Sequence, residues 1–167
     1  RPGASAFSLL EVLVVVAIVA ALIAVLLPAL AGTMRAEARV RCLANLHQIG
    51  LAFRLYADDH DGLPPDQEAL DTWDVLLTDY LAEDRFFLCP SDDAGLDEMF
   101  GNSYAWRDDY TVDEPGASLA NRSLLTLSRT DLVLVFDAEA GWHGEGSVNA
   151  ATVDAAAKSW DAEAFLE

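Results

Sequence analysis

The sequence predicts an α+β fold: a long N-terminal α-helix with a small antiparallel β-sheet head packed on its C-terminal half. Three observations predict it. Residues Phe7 to Ala31 (FSLLEVLVVVAIVAALIAVLLPALA) form a 25-residue apolar run with one charge, Glu11, and one helix breaker, Pro28. From Val40 onward, Leu43, Leu46, Ile49, Gly50, Phe53 and Tyr56–Ala57 recur at intervals of three and four, one stripe of a helix. Near the C-terminus, short apolar and β-branched runs alternate with turn residues.

The apolar run comes first. About 20 helical residues cross a bilayer core, and a helix satisfies its own backbone hydrogen bonds in lipid. The run exceeds the apolar core of a secretory signal, and no small-residue cleavage site closes it. Arg1 to Ala6 read as the remnant of a short basic leader. Glu11 lies inside the apolar block, where an unpaired carboxylate costs roughly 2.5–3.5 kcal/mol on insertion scales. It needs a partner.

Helix signals continue past Pro28 and Gly32, so one helix is expected from Phe7 to about Ala57, about 50 residues and roughly 75 Å. Residues 7–31 are apolar all round and form a transmembrane or assembly segment. Residues 32–61 are the amphipathic half of the same helix, ended by Asp58-Asp59-His60-Asp61-Gly62 and Pro64-Pro65. Residues 62–167 form an acidic α+β head. In it, Asp71 reads as the N-cap of a helix from Thr72 to Ala82 that buries Trp73, Leu76, Leu77, Tyr80 and Leu81. Residues 92–100 and 108–121 read as loops, and Ser103–Arg107 as a strand. Asp131–Phe136 is the clearest strand, and Val148–Val153 and Ala156–Trp160 flank a two-residue turn, Asp154-Ala155.

Charge excludes some functions. The formal net charge is −18, and residues 58–167 carry 26 acidic against five basic residues. Such a head repels nucleic acid and anionic surfaces. No HExxH, CxxC, phosphate-binding glycine loop or GxSxG is present, so no enzyme is expected. Cys42 and Cys89 either pair as a disulfide, as an oxidising compartment would allow, or remain two buried thiols. Asp58, Asp59 and Asp61 raise the question of calcium. With Gly62 as sixth position of an EF-hand-like loop, Asp59, Asp61 and Glu68 take liganding positions, but Ala57 occupies the first. We favour a capped helix end followed by a solvated turn, with a looser calcium site at Asp58, Asp59 and Asp61 as the alternative.

Two resemblances add to this reading. Ala6-Phe7-Ser8-Leu9-Leu10-Glu11-Val12, with Pro28 downstream, resembles the N-terminal signal of type IV pilins and type II secretion pseudopilins. The resemblance implies cleavage by a prepilin peptidase between Ala6 and Phe7, with methylation of the new Phe7 amine; Ala6 stands where the family carries Gly. It also implies assembly roles for Glu11, Pro28 and Gly32, and a single-pass inner-membrane location with a periplasmic head. The implied function is a structural subunit of a helical filament or pseudopilus, at the cell surface or in the periplasm. Its partners would be its own copies, other pilin-like subunits and an inner-membrane assembly platform, with no cofactor required. The alternative is a membrane-tethered binding module that does not polymerise. The stretch Arg41–Gly50, then Tyr56, Gly62, Pro64, Trp73 and Cys89-Pro90-Ser91, resembles a pseudopilin-like group ending in a His followed by Asp-Gly. Here His143, Asn149 and Asp154 match, and Ala155 replaces the Gly. If that position needs a positive φ, Ala costs about 1 kcal/mol.

Overall fold

The computed structural model describes residues 8–65, 72–108, 118–144 and 146–162. Helix α1 runs from Leu9 to Asp59, with Pro28 and Gly32 inside it. Proline donates no hydrogen bond to the carbonyl four residues earlier, here Ala24, yet the helical assignment is unbroken. The chain divides into two compact units, Arg1–Ala36 and Glu37–Glu167, and α1 contributes to both.

In the first unit, Leu9, Leu13, Val16, Ile18, Leu22 and Leu26 are each more than half exposed. An 18-residue window of this helix has a mean hydropathy of 3.2 and buries none of its residues. By length and composition the segment can cross a membrane.

In the second unit, the α1 residues Cys42, Leu46, Ile49, Phe53 and Ala57 form the buried stripe. Their four- and three-residue spacing holds one helix face. The stripe expected to begin at Val40 begins instead at Cys42, and Val40 is 65% exposed. A step of two residues turns the helix by about 200°, so Val40 and Cys42 cannot share a face.

Short elements wrap this stripe. Helix α2 spans Trp73–Leu77 and tightens into a 3-10 turn at Thr78–Tyr80. Its N-cap is Thr72, and no side chain caps it. Asp71, expected as the cap, lies outside the described residues, and the expected α-helix to Ala82 ends four residues after α2 begins. Helix α3 (Leu96–Phe100) occupies a stretch expected to be loop. Its amides are satisfied from outside the element: the Asp92 carboxylate accepts from Leu96 N–H (3.2 Å) and Asp97 N–H (2.9 Å). That capping makes a one-turn helix feasible in an acidic stretch.

The sheet is an antiparallel meander of β1 (Tyr104–Trp106), β2 (Val133–Asp137), β3 (Ser147–Thr152) and β4 (Ala157–Asp161), in that order. Each strand lies within two residues of its expected span. Tyr104 pairs with Asp137, Val135 with Ala151, and Asn149 with Ser159. With side chains alternating along each strand, Val135, Asp137, Asn149 and Ala151 share the face turned to α1. Ala151 contributes directly to that packing: its methyl lies 3.6 Å from where a Cβ on Gly50 would stand. The core centres on Phe53, whose ring sits 5.7 Å from Trp73 and 5.4 Å from Trp106; Trp73 meets Phe87 edge-on. Aromatic pairs at these separations add about 0.5–1.5 kcal/mol each beyond area burial.

The β3–β4 turn seats on the helix. Ala155 has φ +64° and is fully buried, and its carbonyl lies 2.6 Å from His47 Nδ1. Asp154 Oδ1 holds the turn by accepting from Thr152 Oγ1 (2.5 Å) and Ala156 N–H (3.2 Å). The position does require a left-handed conformation, and this chain places Ala there.

Candidate functional site

At the start of α1, Ser8 and Glu11 cap the helix reciprocally. Ser8 N–H donates to Glu11 Oε2 (2.9 Å), and Glu11 N–H donates to Ser8 Oγ (3.2 Å). This is a capping box, S-x-x-E, which satisfies two amides that a helix start leaves without partners. The carboxylate also faces the positive end of the helix dipole. Sequence reasoning left Glu11 in need of a partner and missed Ser8, although the three-residue spacing signals it. Ala6 and Phe7 lie outside the described residues. Pro28 and Gly32 are helical, inside α1.

At the other end of α1, Asp58 and Asp59 occupy the last turn and Asp61 the turn beyond it. Gly62 N–H returns to the Ala57 carbonyl (2.7 Å), and Tyr80 Oη donates to Asp59 (3.1 Å). His60 stacks on Tyr56 with ring centres 3.8 Å apart. Ala57, the first position of the EF-hand-like register, is buried in the core. Glu68, its twelfth, lies outside the described residues.

The head's interior holds a third group. Cys42 on α1 and Cys89 are joined by a disulfide, with Cα atoms 5.4 Å apart and a sequence separation of 47. Cys89 is positioned by its own N–H, which donates to the buried Ser103 Oγ (3.0 Å). Ser103 Oγ in turn donates to Asp92 (2.8 Å). Next to Cys89 Sγ lies His143 Nε2, 3.4 Å away, and Asp137 Oδ2 is 3.7 Å from the same nitrogen. The side chains of His143 and Asp137 are 0% and 1% exposed.

Local sequence explains this convergence. Asp137 ends β2 on the face turned to α1. The β2–β3 connection folds back through Gly141 (φ +97°) and Gly144 (φ +132°), conformations that a side chain disfavours, and carries His143 between them. Asn149 N–H donates to Asp137 Oδ2 (2.8 Å), while the Asn149 side chain accepts from Ser159 Oγ. Arg39 Nε donates to the same hydroxyl (2.9 Å). Thus His143 and Asn149 act at this group, and Asp154 at the hairpin turn.

Burial pushes the Asp137 carboxyl up to about 7, against the opposing hydrogen bond from Asn149. Burial holds the His143 imidazole below its ordinary range, and the Arg39 charge acts in the same direction. Both environments disfavour charge. Two buried polar atoms here, Asp137 Oδ1 and His143 Nδ1, have no hydrogen-bond partner. Sequence reasoning left the cysteines to pair or to stay thiols, and it did not bring Asp137 or His143 to them. The residues lie 95 and 101 positions beyond Cys42, and only strand pairing places them together.

An exposed apolar helix with a capped, acidic first turn, continuing into an α+β head, fits a membrane-anchored chain with one small domain. The particular type is given by its N-terminus: residues 1–27 match the prokaryotic N-terminal methylation motif. The match supports the type IV pilin and pseudopilin family. It implies processing by a prepilin peptidase and assembly with pilin-type subunits in general. It does not reach the head, so the C-terminal His and Asp-Gly resemblance stands without it. Comparisons with curated proteins and with solved structures return no match.

Proposed function

We propose that this chain is a structural pilin-like subunit. It waits in the inner membrane with its head in the periplasm, loses residues 1–6, and polymerises into a type IV pilus-like filament or a secretion pseudopilus. The methylation-motif match over residues 1–27 carries this reading. The all-round apolar surface of α1 supports it, because burial among neighbouring copies replaces lipid contacts with protein contacts. In the assembly, Glu11 meets the methylated amine of Phe7, its own or a neighbour's. Low local dielectric strengthens that pair and makes a missed pair costly. Pro28 and Gly32 form the weak turn at which the helix adjusts as heads pack together. No catalytic role is proposed.

The capping box sharpens the test. Glu11→Gln keeps an N3 side chain able to cap Ser8 and removes the charge; Glu11→Ala removes both. Intact-mass analysis of membrane protein should show a mature chain beginning at N-methylated Phe7 in all three proteins. Electron microscopy of sheared filaments should show wild-type polymer and few filaments from either variant. Retention of residues 1–6 in assembled material refutes the prepilin reading. Cleavage of the wild type without any filament leaves a tethered binding module. Equal filament yield from Glu11→Gln refutes the role of the charge.

A further inference from the structure

Cys42 Sγ, Cys89 Sγ, a carboxylate oxygen of Asp137 and a ring nitrogen of His143 all lie within 4.8 Å of one another. Two sulfurs, one imidazole and one carboxylate are the donor set of a four-coordinate site for zinc or a similar thiophilic divalent cation. We propose that this group is such a metal site, open when the cysteines are thiols and closed when they are joined as a disulfide.

Three observations carry the proposal. The first is distance. Tetrahedral zinc with bonds of about 2.3 Å to sulfur sets two thiolates roughly 3.8 Å apart, within the span the four donors already share. Opening the disulfide therefore requires side-chain rotation and not movement of strands. The second is incomplete satisfaction. Asp137 Oδ1 is buried without a partner, and the 3.7 Å between Asp137 Oδ2 and His143 Nε2 is too long for a hydrogen bond. Buried polar groups in native proteins are paired, and a cation bound between these side chains would ligate the Asp137 carboxylate and the facing His143 Nε2. The third is outer support. Asn149 N–H fixes Asp137, and Ser103 fixes the Cys89 backbone, so two donors are oriented by groups that are not ligands.

A dithiol reductant gives two electrons and two protons to the Cys42–Cys89 bond, yielding two thiols and its own disulfide. The cation then displaces one proton from each thiol and binds two thiolates. Zinc with two thiolates, a carboxylate and neutral imidazole carries a net charge of −1, and Arg39 lies on the same side of the sheet through Ser159. Reducing compartments favour the metal form, and oxidising ones the disulfide.

The test uses the full chain in detergent. Protein reduced with a phosphine, which becomes phosphine oxide by taking oxygen from water, is freed of reductant under nitrogen and titrated with Co²⁺. One equivalent should produce the visible bands of tetrahedral cobalt and sulfur-to-cobalt charge transfer in the near ultraviolet, and Zn²⁺ should bleach both. Oxidised protein should show neither. Competition with a chromophoric chelator should find Zn²⁺ affinity lowered at least about tenfold in Asp137→Asn and in His143→Gln, and unchanged in His60→Gln. If reduction unfolds the head, Zn²⁺ should restore its far-ultraviolet circular dichroism. A reduced, folded chain without cobalt bands overturns the proposal, as does an unfolded one that zinc fails to restore. Affinity unaltered in Asp137→Asn and His143→Gln also overturns it, since two thiolates alone would then account for binding.

Discussion

Replacing Gly50 by alanine tests how the β3–β4 hairpin is seated on α1. A Cβ at Gly50 would stand 3.1 Å from both the Cα and the Cβ of Ala155, and 3.6 Å from the Ala151 methyl. Ala155 has little room to retreat. Its N–H bonds the Thr152 carbonyl (2.7 Å), its carbonyl meets His47 (2.6 Å), and Asp154 holds the turn on either side. Overpacking at such a contact costs about 1–3 kcal/mol. Alanine in the helix interior returns about 1 kcal/mol relative to glycine. The steric cost wins, and Gly50→Ala should destabilise the head by ~1 kcal/mol.

Ala155→Gly acts on the other side of the same contact. It relieves a side chain held at φ +64°, worth about 1 kcal/mol net of unfolded-chain freedom, and loses a fully buried methyl worth about 0.8 kcal/mol. The two nearly cancel. In the double variant the Cβ–Cβ half of the clash is gone, so the combined effect should be smaller than the sum by about 0.5–1 kcal/mol. Urea unfolding of the full chain in detergent, followed by tryptophan fluorescence from buried Trp73 and Trp106, measures all four species. A Gly50→Ala protein as stable as the wild type, or strict additivity in the cycle, would refute this account of the seat.

Two further outcomes are expected. Cys42→Ala with Cys89→Ala should lower unfolding stability by about 4 kcal/mol, the chain-entropy value for a 47-residue separation, read as a fall in urea midpoint without loss of the β-sheet signal in native buffer; an unchanged midpoint would contradict it. The Asp92 carboxyl is pushed up by partial burial but held below its ordinary range by hydrogen bonds from Ser103, Asp97, Leu96 and Gly95. A lowered folded value gives stability that is complete above the unfolded value near 3.9 and lost as pH falls through the folded one. Asp92→Asn should therefore flatten the acid limb of the stability profile below about pH 4, and an acid limb identical to wild type would contradict that cap.

The long helix and the strands were legible because each rests on periodicity within one segment. Leu46, Ile49 and Phe53 needed only the helical repeat, and Val133–Asp137 only its β-branched apolar run. What escaped the sequence depends on groups supplied from elsewhere in the chain. Helix α3 exists because Asp92 reaches forward to two amides, and a string of acidic and turn residues reads as loop without that contact. Val40 was misplaced because an exposed Val and a buried Cys two positions apart leave the start of the stripe ambiguous by hydrophobicity alone. The Ser8–Glu11 box is different: its three-residue spacing is a local pattern that needs no distant contact. Asp137 and His143 reach the cysteines only through β-pairing and a glycine-flanked loop, which no local pattern encodes.

These contrasts bear on how the two parts of the chain divide their labour. The residues matched by the methylation motif stop at position 27, before the first buried residue of the head, Cys42. The segment that processing and assembly would read is thus separate from the segment that folds into a domain core. The side chains of the apolar part of α1 are exposed, the condition for exchanging lipid for neighbouring helices. The head, in turn, is fastened to the remainder of α1 by several contacts, two of them close in sequence: Cys42 bonds to Cys89, and His47 and Gly50 receive Ala155. Those points lie within nine residues, about 13 Å of helix. A pull on α1 during assembly would be borne there, by a covalent bond and by a hairpin tip with no space to slide. In the filament proposed above, the acidic residues of 58–167 would space the heads apart by like charge while the apolar helices draw together.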